Sequence, residues 1–103
     1  MFRNLFIIAL LGTAVGCTWV QLTSAGENVS LRTASQVANC ERIGRTQTQS
    51  LSRVTIVERG ADRLQEELLT LARNEAGDMG GNVVVAESVI TEGRQSFGVY
   101  QCP

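Results

Sequence analysis

Apolar positions along this chain fall into three regimes. From Leu5 to Val15 they run almost unbroken, with only Gly12 and Thr13 intervening. Between Val29 and Val57 they thin out among Thr, Gln, Ser and Arg, and where they recur they tend to alternate. From Ala61 they return every three or four residues, at Leu64, Leu68, Leu71, Ala72, Ala76 and Met79. That last spacing belongs to a helix with one apolar stripe, because about 3.6 residues per turn bring i, i+3, i+4 and i+7 onto one face. It predicts a helix over 61–79. Asp62 then sits in the first turn, where negative charge meets the positive helix end. Arg63 and Glu67 face outward one turn apart, as an ion pair. Gly80-Gly81 ends the helix in the left-handed conformation that glycine adopts at little cost.

Alternation predicts the strands. Val29-Ser-Leu-Arg-Thr reads as a short one, and Val37 to Gln49 as an exposed one entered through Cys40. Leu51 to Val57 reads as a third, stopping at Glu58-Arg-Gly60. Asn82 to Ile90 follows as a buried strand, and a Glu92-Gly93 turn leads into Ser96 to Cys102. One helix covering one face of a small, mainly antiparallel sheet is an α+β architecture. Leu64, Leu68 and Leu71 are expected to hold the helix against Val83, Val85, Val89 and Val99. The run Val83-Val84-Val85 leaves open which of its members face the helix. Asn74 interrupts good helix formers, and either hydrogen-bonds to a neighbouring strand or stays exposed.

The first regime has a different meaning. Met1-Phe-Arg-Asn carries one positive charge, and the apolar run after it is about half of the roughly 20 residues that a spanning helix requires. That length suits the hydrophobic core of an export signal. It ends at Ala14-Val15-Gly16-Cys17, which resembles the lipobox of bacterial lipoproteins, where small residues precede an acylated cysteine. The expectation is a signal peptide over 1–16, a lipid-bearing (palmitoylated) Cys17 with a short tether over 17–28, and one domain over 29–103. Thr18 in place of Asp implies sorting to the outer membrane in the lipoprotein pattern. Cysteine arithmetic agrees. Of three cysteines, lipidation of Cys17 leaves Cys40 and Cys102, an even number in an oxidising compartment, and the two are expected to form a disulfide.

Composition narrows the chemistry. A chain of 103 residues fits one small domain, and a net charge of −1 argues against a nucleic-acid partner, which wants a basic stripe. There is no histidine, so the usual base near neutral pH and the commonest metal ligand are missing. Nucleophilic catalysis needs a Ser or Cys with a base and an orienting group. Two thiols without His fall short of four zinc ligands. No catalytic residue, metal site or cofactor is therefore expected, and the protein is not expected to be an enzyme. One constellation stands out. Arg42, Arg45 and Arg53 lie in a stretch free of acidic residues up to Val57, and guanidinium forks suit phosphate and other anions.

Taken together, the lipobox-like stretch, Cys40, Leu71-Ala-Arg-Asn-Glu-Ala76, the Gly80-Gly81-Asn82 stop and the terminal Tyr100-Gln-Cys102 resemble domain-of-unknown-function family 4156. These are small Gram-negative envelope lipoproteins, similar in fold to the outer-membrane stress sensor of the Rcs pathway. The resemblance implies a disulfide-braced domain facing the periplasm on a lipid anchor in the outer membrane. The Rcs sensor has a second disulfide and a long proline-rich tether, whereas this chain has one cysteine pair and its sole proline at Pro103. The function expected first is a non-catalytic module that binds an envelope protein or an anionic lipid. An envelope-stress sensor comes second and a thiol redox protein third.

Overall fold

The structure, a computed structural model, describes residues 20–50 and 54–103, the side chains of 54–61 excepted. Cys17, Arg53 and the start of the strand expected over Leu51 to Val57 lie outside the described residues. The elements are α1 (Ser24–Glu27), β1 (Ser30–Leu31), a 3-10 turn (Ala34–Val37), β2 (Glu41–Gln49), α2 (Val54–Asp78), β3 (Val83–Ala86) and β4 (Arg94–Gln101). They form a four-stranded sheet in the order β1-β3-β4-β2, with one main helix packed on it. β1 runs parallel to β3, and the other neighbours are antiparallel. The expected α+β architecture is the observed one.

Helix α2 is longer than its apolar stripe suggested. Residues Val54 to Val57, expected as strand, are its first turn, and Gly60 lies inside it. The β-branched run Val54-Thr-Ile-Val favours a strand locally. Yet Val54, Val57 and Ala61 continue the spacing of Leu64 and Leu68 backwards, and that longer pattern prevails over local propensity. Asp62 is consequently not in the first turn. The far end is as expected. Gly80 takes φ +90°, its N–H bonds to the Gly77 carbonyl (3.1 Å), and the Gly81 N–H bonds to the Ala76 carbonyl (2.8 Å). This is the paired closure of a Schellman motif. Gly81 answers to packing as well, since a Cβ there would lie 2.5 Å from Val99 Cγ1.

Alternation along the strands separates two faces. Phe97, Val99 and Val84 face α2 and pack with Val29, Ala72 and Ala76, all buried. Leu68 is fully buried and Leu64 nearly so, whereas Leu71 is only half-buried. Helix and sheet approach closely through the two alanines that follow. Val83 and Val85 face the other way, into a second cluster with Val37, Cys40, Tyr100 and Cys102. Val89, expected beneath the helix, is 78% exposed, because the strand stops at Ala86. Glu67 corrects another expectation. It is 5% exposed, with Ser50 Oγ 3.3 Å from its carboxylate, rather than on the outer surface.

The β3–β4 connection ends in a two-residue turn. Glu92 (φ 52°) and Gly93 (φ 74°) are both left-handed, between Thr91 and Arg94, which exchange two backbone bonds. Paired positive φ values match the right-handed twist of the flanking strands.

Candidate functional site

Three places hold the side chains that the sequence singles out. The first is the chain end. Glu41 pairs with Gln101, so Cys40 and Cys102 fall opposite each other one step further on, with Cα atoms 4.4 Å apart, and form the expected disulfide. Asn82 supports it. Its Oδ1 accepts from the Cys102 N–H (2.8 Å) and its Nδ2 donates to the Cys102 carbonyl (2.9 Å), extending the sheet by a side chain.

A second place is the sheet face away from α2. Strict alternation would set Arg42 and Arg45 on opposite faces, since they are three apart. A bulge resolves this. Arg42 pairs with Tyr100 and Gly44 with Val99, leaving Ile43 unpaired and packed toward the helix-side core. The extra residue brings Arg42 and Arg45 onto the same face. Arg42 is already engaged there, its fork meeting the Glu87 carboxylate through Nη1–Oε2 and Nη2–Oε1 (3.2 Å). Its Nη1 also donates to the Tyr100 hydroxyl (3.4 Å), and the guanidinium carbon is 5.8 Å from the Tyr100 ring centroid. The hydrogen bond that Arg42 donates to Glu87, then that to Tyr100, raises the Arg42 pKa further above its ordinary range. Gly98 makes room for this pair, because a Cβ there would collide with Glu87 and come within 2.5 Å of Arg42 Nη1.

Arg45 is differently placed. It donates to Ser96 Oγ (3.1 Å) and has no carboxylate partner among the described residues. Two of the three expected arginines thus share a face, one neutralised and one not, and Arg53 lies outside the described residues. Glu87, which sets that difference, was not anticipated, since it lies 45 positions from Arg42 and no local spacing marks it.

The third place is a segment expected to be tether, over 17–28. Instead, residues 21–27 lie along α2 on the side opposite the sheet. Asn74 clamps them. Its Oδ1 accepts from the Thr23 N–H (2.8 Å) and hydroxyl (3.1 Å), and its Nδ2 donates to the Gln21 carbonyl (2.8 Å). Asn74 does bond to a neighbour, but to this segment and not to a strand. Thr23 caps α1 by accepting from the Gly26 N–H (3.0 Å), and Gly26 is buried against Asn74. Val20 lies further along the same side of α2, beside Glu66, Glu67 and Thr70. Glycine marks this crossing. A Cβ on Gly77 would sit 2.5 Å from the Ala25 carbonyl oxygen. Small residues in apparently featureless sequence were the only advance sign of it.

Among the described residues, no group of His, Cys, Asp or Glu is arranged to hold a metal ion, and no helix is long and apolar enough to cross a membrane. The family model described as Domain of unknown function (DUF4156) matches residues 20–102. No curated protein and no solved structure matches the chain.

Proposed function

The chain belongs to the DUF4156 family, and from that premise we propose that it is a lipid-anchored protein of the bacterial outer membrane whose non-catalytic domain binds an envelope protein in the periplasm. One observation carries this reading. Cys40 and Cys102 are committed to each other, which leaves Cys17 as the odd cysteine, at the end of an apolar run of export-signal length. A lipid on Cys17 accounts for the odd thiol, and an oxidising compartment for the pair.

The clamp at Asn74 shortens the tether. Cys17 lies only three positions before Val20, which lies against α2, and three extended steps span roughly 10–11 Å. An acylated Cys17 therefore holds the domain close to the bilayer, helix side first. The helical spacing of Glu66, Thr70, Asn74 and Gly77 sets them opposite Leu64, Leu68, Ala72 and Ala76. Arg45 and the Arg42–Glu87 pair lie beyond the sheet, on the side remote from the anchor. That placement favours a protein partner over lipid of the anchoring leaflet.

Mass spectrometry of protein from envelope membranes tests the anchor. An amino-terminal, acylated Cys17 is expected, and Cys17→Ser should leave an unprocessed precursor. An unmodified Cys17 in the mature chain sinks the reading. Photocrosslinkers at Arg45 and at Glu66 in intact cells test the orientation. A protein adduct from position 45 and lipid adducts from position 66 are expected, and the reverse pattern overturns it.

A further inference from the structure

Strand β1 is the edge of the sheet, and its outer side carries a groove of about 320 Å³ between the strand and α2. Ser30 and Arg32 turn their N–H groups inward, to Asn82 and Val84 carbonyls at 3.0 Å each. By the alternation of a strand, the N–H and C=O of Leu31 point outward, into the groove. Leu31 is 51% exposed, and Leu69 beside it is half-buried, so the groove has an apolar wall.

Its other wall is Arg73, half-buried and fixed in place. Arg73 Nε donates to the Val29 carbonyl at 2.6 Å. The two Nη groups have no carboxylate partner among the described residues. Val29 itself is closed to a further strand, since its N–H bonds to the Gly26 carbonyl at 3.0 Å and its carbonyl is taken by Arg73. A peptide laid antiparallel along this edge therefore makes one pair of main-chain bonds, with Leu31, and cannot continue toward Val29. What meets it there is a guanidinium.

We propose that the β1 edge binds the carboxyl-terminal end of a partner protein in extended form. The penultimate residue pairs with Leu31 and, being opposite it, presents its side chain on the same face, against Leu31 and Leu69. An apolar residue fits that position. One residue later the chain ends, and its α-carboxylate accepts from the Arg73 fork. Glu27, on the groove's rim, repels a carboxylate displaced from Arg73 and so fixes the register. This site is independent of the lipid anchor and lies apart from the Arg42–Arg45 face.

The test uses the whole chain, ¹⁵N- and methyl-labelled, in mild detergent. Three probes are compared: an N-acetylated hexapeptide ending in Leu-Ser with a free carboxylate, its terminal amide, and an amide in which Glu replaces the last Ser. The free acid should shift the Leu31 amide and Leu69 methyl signals and bind at least ten times tighter than the plain amide. Arg73→Gln should bring the acid down to the amide's affinity while leaving the amide unchanged. Leu31→Asp, at a half-exposed position, should abolish both. Equal binding of acid and amide overturns the proposal, as does no binding of the acid at millimolar concentration. If the Glu-ending amide matches the free acid, an acidic side chain and not a chain end is recognised, and the proposal fails. Concentration-dependent shifts at Leu31 without peptide assign the edge to a second copy of this chain, which also refutes it.

Discussion

Gly77→Ala separates two views of α2. In an exposed helix, replacing glycine by alanine gains about 1 kcal/mol, because alanine loses less backbone freedom. At this crossing the new methyl would stand 2.5 Å from the Ala25 carbonyl oxygen and 2.6 Å from its carbon. Ordinary contacts start near 3.4 Å, so α1 must retreat by roughly 1 Å, and both obstacles are backbone atoms that cannot rotate away. Retreat strains the three Asn74 bonds, 2.8 to 3.1 Å long, each worth about 0.5–1.5 kcal/mol net. Losing them costs about 2–3 kcal/mol, and the propensity gain leaves a net loss of about 1–2 kcal/mol. For a domain of this size that lowers the thermal midpoint by roughly 5–10 °C. Thermal denaturation followed by circular dichroism measures it. A double-mutant cycle adds a sharper reading: with α1 already displaced, Asn74→Ala should cost much less in the Gly77→Ala background than in the wild-type chain. An unchanged or raised midpoint for Gly77→Ala would show that residues 21–27 are not docked on α2, and the short-tether geometry would fall with them.

Other expectations follow from the same physical terms. Leu68→Ala should lose about 2–5 kcal/mol, since its side chain is fully buried, as a urea titration would show. Glu67→Ala should lose about 1–3 kcal/mol, because it removes a buried side chain and its hydrogen bond with Ser50, and a neutral result would mean that Glu67 is solvated after all. Glu92→Asn should gain up to about 1 kcal/mol, since asparagine tolerates the left-handed turn better than glutamate; a lower midpoint would contradict the turn geometry. Cys102→Ser should cost about 2–5 kcal/mol. Its effect should overlap with that of Asn82→Ala, because both fix the same chain end.

Much of the architecture was legible because hydrophobic spacing is a property of one segment at a time. Leu64, Leu68, Ala72 and Ala76 announce a helix without reference to anything else, and Glu92-Gly93 announces a turn. What escaped depends on two distant segments at once. The parity of Val83, Val84 and Val85 is fixed by Val99 and Gly98 opposite them, which no count along the run supplies. The bulge at Ile43 has no local signature, yet it decides on which face Arg42 and Arg45 meet. Arg42 looks available in sequence and is neutralised in space by Glu87. The start of α2 was missed for a different reason: β-branched residues and Gly60 speak locally for strand and turn, and the apolar spacing overrides them. Of the candidate sites, the cysteine pair was readable by counting, whereas the Arg73 groove has no counterpart in the sequence pattern.

The strand order has a consequence in time. Ser30 pairs with Val83, Thr23 with Asn74, Glu41 with Gln101, and Cys40 with Cys102. Each of these early residues waits for a partner synthesised 51 to 62 positions later. A chain that emerges amino terminus first, from a ribosome or through a membrane pore, therefore cannot complete its sheet until β4, which lies between β3 and β2, is out. Contacts of such long sequence separation also form slowly, since loop closure precedes their reward. Delay of this kind keeps a small polypeptide threadable for the whole of its passage, and then lets it close in a single late step that its last cysteine can lock.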